Sequence, residues 1–175
     1  MWKSRKSKSF LWYFSILKLT KLLISFWTWK LTLYSNELGN FPPVESAANV
    51  MREIIYSNKN SLSASMICSG WDPYKGYQIY QVNSSGYFEQ GNWALSGSGG
   101  TFVWGYIDAN FRENMTKHEV KEFIKSIIAL ACFRDSSSGG CIRLLDITQD
   151  AVEREFIPYS DFKIKWKYSY RNNCC

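Results

Sequence analysis

A short polar loop carries the residue types in this sequence that could do chemistry. It runs from Arg134 to Gly140 with the sequence RDSSSGG, which places one carboxylate and three hydroxyl groups beside two glycines. A second polar turn runs from Ser96 to Gly100 with the sequence SGSGG. Carboxylates and hydroxyls held in tight loops can orient a nucleophile or pass on a proton. The same residue types are typical of ordinary turns, so both interpretations stay open at this point.

The sequence lacks the usual partners for such groups. Its one histidine, His118, falls in the first turn of a predicted helix between a lysine and a glutamate, which predicts a solvent-exposed position. Without it, Ser-His-Asp and Cys-His hydrolase mechanisms have no base. The five cysteines form neither a C-x-x-C pair nor a zinc-ligand spacing, so we expect no metal site and no cofactor. One histidine-free mechanism uses a threonine whose own N-terminal amine is the base.

Regular elements on both sides must position the Arg134–Gly140 loop. A capping box at Thr116 and Glu119 predicts the start of the helix before it, and Cys141–Ile147 after it has the branched apolar residues of a strand. The apolar residues of the helix recur every three or four positions. They are Val120, Phe123, Ile124, Ile127, Ile128 and Ala131.

The remaining elements predict an α+β domain whose sheets are covered by helices. Pro42-Pro43 fixes an extended entry to the first of its helices. The predicted helices are Val44–Tyr56 and Thr101–Phe111. The predicted strands are Ser63–Trp71, Tyr77–Val82, Tyr87–Gln90 and Trp93–Leu95 as an antiparallel meander, then Ala151–Ile157 and an edge strand at Lys163–Tyr168.

Composition and charge exclude several classes of protein. At 175 residues, with 46% hydrophobic and 21% charged residues, the chain is neither disordered nor fibrous and has enough apolar residues for one globular core. The net charge is +6, but seven of the 21 basic residues lie in residues 1–30, which contain no acidic residue. The other 14 basic residues face 15 acidic ones. The globular part is therefore not a polyanion binder, and we expect no nucleic-acid partner.

The first thirty residues differ from the rest of the chain. A short apolar run at Phe10–Leu17 follows a basic start, but no small-residue cleavage site follows it. A membrane span would place Lys18 near its middle, at a cost of about 2.5–3.5 kcal/mol. The segment contains four of the eight tryptophans, and their spacing defines no buried face. A membrane-surface helix is the alternative interpretation. Our preferred interpretation is a basic aromatic segment, residues 1–31, outside a domain at 32–175, with a membrane partner disfavoured.

Several motifs in a fixed order resemble the β subunits of the 20S proteasome, and among them the caspase-like catalytic type. The resemblance covers roughly residues 37–158. The motifs are Gly70-Trp71-Asp72-Pro73 with Gly76 and Tyr80, Ser96-Gly97-Ser98-Gly99, Gly105-Tyr106-Ile107-Asp108-Ala109, Arg112-Glu113 with Met115-Thr116-Lys117, and Arg134-Asp135 with Ser138-Gly139-Gly140 before Ile142-Arg143-Leu144.

The resemblance implies a fold, an activity and partners. The implied fold is the αββα sandwich of N-terminal-nucleophile hydrolases. The implied activity is threonine-type endopeptidase in ubiquitin-dependent protein degradation, with cleavage after acidic residues for the caspase-like type. The implied partners are other α and β subunits in heptameric rings and unfolded polypeptide substrates, in the cytoplasm and nucleus.

The resemblance also assigns roles to three residues. In the family, the serine matched by Ser98, and the aspartate and serine matched by Asp135 and Ser138, form hydrogen bonds around the catalytic threonine and its amine. They would support and orient a nucleophile that another part of the fold supplies.

The sequence departs from the family pattern at the nucleophile. It contains no Gly-Thr-Thr motif, and its Gly100-Thr101 pair opens an internal helix. The strands that carry the family's catalytic aspartate and lysine are not recognisable either. We therefore expect a fold without its first strands, a chain that is inactive as written, and a fragment or an aberrant gene model as its origin. The alternatives are a non-catalytic structural β subunit and a membrane-associated protein with a basic N-terminal anchor.

Overall fold

The computed structural model describes residues 8–11 and 18–161. These residues form two three-stranded antiparallel sheets and four α-helices. The helices are α1 (Lys18–Leu38), α2 (Val44–Ser57), α3 (Gly100–Asn110) and α4 (Lys117–Arg134). The strands are β1 (Lys8–Leu11), β2 (Met66–Asp72), β3 (Gly76–Val82), β4 (Phe88–Gln90), β5 (Ile142–Ile147) and β6 (Val152–Ile157). The sheet orders are β2-β3-β4 and β1-β5-β6.

Helix α2 covers one face of the β2-β3-β4 sheet and forms the first hydrophobic core. Its apolar residues recur at three- and four-residue steps, while alternate residues of β2 and β3 face them, as each backbone period requires. Burial of one such side chain contributes about 1.5–3 kcal/mol. The buried members are Ala47, Ala48, Met51, Ile55, Met66, Cys68, Tyr80 and Val82.

Helix α1 packs against this core, which corrects the interpretation that the first thirty residues lack a buried face. Ile24, Trp27 and Leu31 lie at helical spacing and pack against it. The indole N–H of Trp27 donates to the backbone oxygen of Ala47 at 3.0 Å. The sequence did not show the helical period of these buried residues, because the opposite side of α1 is also apolar.

Strand β1 also lies in the first thirty residues. It pairs antiparallel with Leu144–Ile147 of β5, although its sequence shows no alternation that predicts a strand. The predicted domain boundary after residue 31 falls inside α1 and stays a prediction. Of the helices that the structure describes, none is both long and apolar enough to span a membrane.

The second core lies between α4 and the β1-β5-β6 sheet. Every second residue of β5 faces the helix, so Ile142 and Leu144 are buried there with Ile157 of β6. Ile128 and Ala129 of α4 complete the buried cluster. This packing fixes one face of α4 against the sheet, and it therefore also fixes the positions of the two ends of the helix.

The helix before the predicted Arg134–Gly140 loop and the strand after it match expectation, and one other predicted strand does not. The capping box of α4 is confirmed, because Thr116 Oγ1 accepts from Glu119 N and Glu119 Oε2 accepts from Thr116 N. Trp93–Leu95 is not a strand. Its last residue, Leu95, is instead held by the side chain of Gln81, whose Nε2 donates to Leu95 O at 2.8 Å.

The mixed α/β class is confirmed, with helices packed on both sheets. The stacking of the two sheets into a sandwich and the absence of first strands stay predictions. The predicted edge strand Lys163–Tyr168 and the terminal cysteines lie outside the described residues.

A buried carboxylate ties the start of α2 to the β2–β3 turn. Oδ2 of Asp72 accepts from Val44 N at 3.0 Å and from Gln78 Nε2 at 2.6 Å. Its Oδ1 accepts from the backbone N–H groups of Tyr74 and Lys75 at 3.0 and 2.7 Å. Burial by itself would raise the pKa of Asp72, but these four hydrogen bonds outweigh it and lower the pKa.

We expect Asp72→Asn to lower the free energy of unfolding by about 1–3 kcal/mol at neutral pH, because an amide cannot replace both acceptor oxygens. The lowered pKa gives the sign of the pH dependence. The contribution of Asp72 is complete above its unfolded-state pKa of about 3.9 and is lost as pH falls through the lower folded value. Urea unfolding across this range measures it.

The matched control is Asp108→Asn, an exposed carboxyl on α3, which should change stability by less than about 0.5 kcal/mol. Equal losses in the two variants, or a difference that grows as pH falls, would contradict the role of Asp72.

Candidate functional site

Asp135 is the C-cap residue of helix α4, so the end of this helix determines its position in the polar loop. The backbone N–H of Asp135 donates to Ala131 O at 2.8 Å, and the chain then turns extended. The residue is 8% exposed. A carboxylate at this end of a helix lies near the partial negative charge of the last carbonyl groups. It therefore depends on hydrogen-bond donors from elsewhere.

Three donors converge on the Asp135 carboxylate. The hydroxyls of Ser98 and Ser138 both donate to Oδ2, at 2.7 and 2.6 Å. The backbone N–H of Ser137 donates to Oδ1 at 3.1 Å. Ser98 lies 37 residues earlier in the chain, in the turn before α3. The structure thus brings together all three residues that the sequence analysis selected, while their role around a nucleophile stays a prediction.

Gly99 allows the two polar loops to approach this closely. A Cβ atom at this position would lie 2.8 Å from Ser138 Oγ and 3.0 Å from Ala131 Cβ. Its φ of −69° is open to any residue, so the lack of space, and not the backbone conformation, requires glycine here. Sequence reasoning found the glycine-rich turn but could not identify which glycine makes the contact.

The hydrogen bonds hold the Asp135 carboxyl in its charged form. The Ser138 hydroxyl is the largest cause of its lowered pKa, followed by the Ser98 hydroxyl and the Ser137 backbone N–H, against a smaller opposing effect of burial. An ionised carboxylate favours a positive charge beside it. The site can therefore orient and stabilise an ammonium group or a transferred proton.

Histidine takes no part in this arrangement. His118 is exposed, as predicted, in the first turn of α4. The helical rise places it about 25 Å along the axis from Asp135. Within the described ranges, no group of three or more His, Cys, Asp and Glu residues could hold a metal ion.

An ion pair between a half-exposed lysine and a buried aspartate at the other end of α4 was missed by the sequence analysis. Asp146, which is 2% exposed, places Oδ2 2.6 Å from Lys117 Nζ, and Glu153 Oε2 lies 2.6 Å from the same nitrogen. The contact with the Asp146 carboxylate, then the one with Glu153, raises the pKa of Lys117. The sequence contained one signal of this pair, because Asp146 alternates with the buried residues Ile142 and Leu144 in an apolar strand. The pair fixes the start of α4, as Asp135 fixes its end.

Comparison with known proteins decides the family. A family model described as "Proteasome subunit" matches residues 20–147, which is well over half of the chain and includes both polar loops. The chain belongs to the proteasome subunit family. The predicted resemblance is confirmed, and the match begins ahead of the domain boundary that was placed after residue 31.

Curated relatives of this proteasome family chain are named as β subunits. Proteasome subunit beta type-6 of Dictyostelium discoideum is 38% identical over 148 residues, covering 85% of this chain and 69% of the relative. The probable proteasome subunit beta type-1 of Schizosaccharomyces pombe is 44% identical over 126 residues, covering 72% and 56%. Proteasome subunit beta type-1 of Saccharomyces cerevisiae is 42% identical over 124 residues, covering 71% and 57%. The chain spans little more than half the length of the last two.

We expect Gly99→Ala to destabilise the protein by about 1–3 kcal/mol, because the added methyl group must displace Ser138 or Ala131. The matched control is Gly105→Ala in α3, where a Cβ would meet nothing within 4 Å. That variant should gain up to about 1 kcal/mol from helix propensity. Urea unfolding of both proteins measures the difference. A Gly99→Ala protein as stable as the control would show that the two loops are not in close contact.

We expect Ser138→Ala to raise the pKa of Asp135 toward its ordinary value of about 3.9, and Ser98→Ala to raise it by less. Ser137→Ala is the control, because Ser137 acts through its backbone N–H and should leave the pKa unchanged. Carboxyl carbon chemical shifts followed by NMR over acidic pH give all three values. An unchanged pKa in Ser138→Ala would contradict the geometry of the site.

Proposed function

We propose that this chain is a β subunit of the 20S proteasome core whose two polar loops support the threonine nucleophile of an endopeptidase. The observation that carries the proposal is the convergence of the Ser98 and Ser138 hydroxyls on one oxygen of Asp135. Family membership and the names of the relatives support the assignment to a β subunit.

A charged carboxylate of this kind suits the chemistry of an N-terminal threonine. When the amine of the threonine accepts the proton of the hydroxyl, it becomes an ammonium ion. A carboxylate whose pKa is lowered remains charged at neutral pH, and its negative charge stabilises the ammonium ion. The two serine hydroxyls hold the carboxylate in one orientation. Ser98, Asp135 and Ser138 are therefore positioning residues, and the sequence as written supplies this supporting shell without the Gly-Thr-Thr nucleophile.

The substrate, partners and location follow the same proposal. The substrates are unfolded polypeptides delivered by ubiquitin-dependent degradation and cleaved after acidic residues, as expected for the caspase-like type. The partners are the other α and β subunits of heptameric rings, in the cytoplasm and nucleus.

One observation favours a second candidate, a structural β subunit without catalysis. The three donors at Asp135 already occupy most of the roughly four acceptor positions of a carboxylate. The joined loops would then serve to fix the α3–α4 pair, whose packing includes stacking of Tyr106 on Phe123 at 6.0 Å between ring centroids.

We expect the chain to be present in 20S particles isolated from cells through an affinity tag on an α subunit, because both candidates require ring assembly. By itself, the purified chain should not hydrolyse fluorogenic peptides with an acidic residue at the cleavage site. Ile142→Asp, which disrupts a fully buried position, is the control and should be absent from the particles. Absence of the unaltered chain from the particles would refute both candidates, and turnover by the purified chain would refute a purely supporting role.

The two candidates give different results with Asp135→Asn in the same particles. In the product of a transcript that carries the Gly-Thr-Thr segment, a supporting role beside that threonine predicts retained assembly with about a hundred-fold loss of acidic-site hydrolysis and an altered pH profile of kcat/KM. A structural role predicts unchanged hydrolysis. Asp108→Asn controls for loss of a carboxylate that lies outside the site. The 5′ sequence of the native transcript shows in parallel whether a Gly-Thr-Thr segment is joined to this one.

A further inference from the structure

Strand β2 forms an open edge of the β2-β3-β4 sheet. It pairs with β3 along all seven residues from Met66 to Asp72, and no strand in the described part of the chain pairs with its other side. Alternate N–H and C=O groups on that side therefore lack a ladder partner. Proteins protect such edges with charged side chains or proline. Strand β2 has the sequence MICSGWD, and its one charged residue, Asp72, is bound to the β2–β3 turn.

Helix α1 lies beyond this open edge. Helix α2 covers β2 and β3, and its Arg52 Cζ lies 5.5 Å from the centre of the Phe88 ring on β4, so this flank of α2 faces β4. Ala47 lies about 140° away around the helix, on the opposite flank. The backbone oxygen of Ala47 accepts from the indole of Trp27 on α1. Because the sheet order is β2-β3-β4, α1 lies on the β2 side of α2.

The position of α1 leaves a slot beside β2. Packed helices lie about 8–10 Å apart, whereas neighbouring strands lie about 4.8 Å apart. Helix α1 is therefore displaced from α2 by about two strand widths, beyond the edge of the sheet. Its core-facing residues, Ile24, Trp27 and Leu31, are only partly buried, and none of residues 24–37 is buried. We call the space between the open edge of β2 and the inner face of α1 the α1–β2 slot.

We propose that the α1–β2 slot binds one extended strand of a separate, unfolded polypeptide. The main-chain groups of such a strand match the unpaired N–H and C=O groups of β2, which is how peptides add to an open sheet edge. Alternate side chains of the strand face the inner face of α1. Because Ile24, Trp27 and Leu31 are apolar, the slot selects a strand with apolar residues at every second position.

The geometry favours a single strand over other occupants. A lipid or a small molecule does not present a regular row of main-chain donors and acceptors. A second copy of β2 carries its own α2 on one face. Antiparallel pairing of two copies turns both covered faces to the same side, where the α2 of the second copy would collide with α1. An unfolded segment has no covering layer, so it fits beneath α1.

This proposal is independent of the proposed protease function, because the slot shares no residue with the loops around Asp135. A chain in which Asp135 is purely structural would still bind a strand here. Failure of strand binding would leave the outcome of the particle experiments unchanged.

Binding of a labelled peptide to the full chain tests the proposal. The probe is a fluorescent peptide of about nine residues in which valine and threonine alternate between terminal lysines, and we expect saturable binding by fluorescence anisotropy. The same peptide with its valine and threonine amides N-methylated lacks donors and should bind at least about ten-fold more weakly. In amide hydrogen exchange, alternate amides of β2 should exchange at least about ten-fold more slowly once the unmethylated peptide is added. The amides of β4, at the other edge of the same sheet, should not change.

Two matched variants of α1 test its role as a wall of the slot. Leu31→Lys introduces a charge on the inner face and should weaken peptide binding at least about ten-fold. Leu33→Lys makes the same change on the outer side of the helix, at a side chain that is 43% exposed, and should bind like the unaltered chain. The exchange measurement on the unaltered chain does not depend on the folding of either variant.

The proposal is wrong if the unaltered chain does not bind the peptide, if N-methylation or Leu31→Lys leaves binding unchanged, or if the protected amides lie outside β2. Slow exchange along the open edge of β2 in the free chain would show that another segment of the chain fills the slot. Protection of β2 that grows with protein concentration, in the absence of peptide, would assign the edge to a second copy. Either of these results would equally overturn the proposal.

Discussion

The hydrogen bond from Ser98 to Asp135 is the contact on which the arrangement of the candidate site depends. It joins two loops that are distant in sequence, one at the start of α3 and one at the end of α4. Because the carboxylate lies at a helix C-terminus, where helix electrostatics disfavours negative charge, it needs these donors to stay ionised while partly buried. The carboxylate in turn orients the two serine hydroxyls, so the contact constrains both loops.

The packing around α4 explains how one helix can hold that contact. Its middle is fixed by the core with β5 and β6, and its start is fixed by the capping box and by the ion pair between Lys117 and Asp146. A helix that is held at its start and along its face presents its last residue at a defined place. The loop then needs only glycine at position 99 to reach the neighbouring turn. The position of Asp135 is well defined because the packing of α4, and not the loop itself, determines it.

The α3–α4 pair and helix α1 have surfaces of different chemistry. The α3–α4 end has the small polar loops and the ionised carboxylate that match the proteasome family motifs. Helix α1 has large exposed aromatic side chains, and it lies within the family match from residue 20 onward. The family match therefore includes both the polar loops around Asp135 and the exposed aromatic residues of α1.

The sequence by itself determined the elements that have strong local signals. The capping box at Thr116, the helical periods of α2 and α4 and the family motifs around Ser98 and Asp135 were all readable, because each depends on residues close together in the chain. The tertiary structure alone decided which glycine lets the loops meet, that Asp146 is buried beside Lys117, that Trp93–Leu95 is held by Gln81 and is not a strand, and that α1 has an inner face. Each of these depends on contacts between distant segments, and the local spacing of residue types carries no information about such contacts.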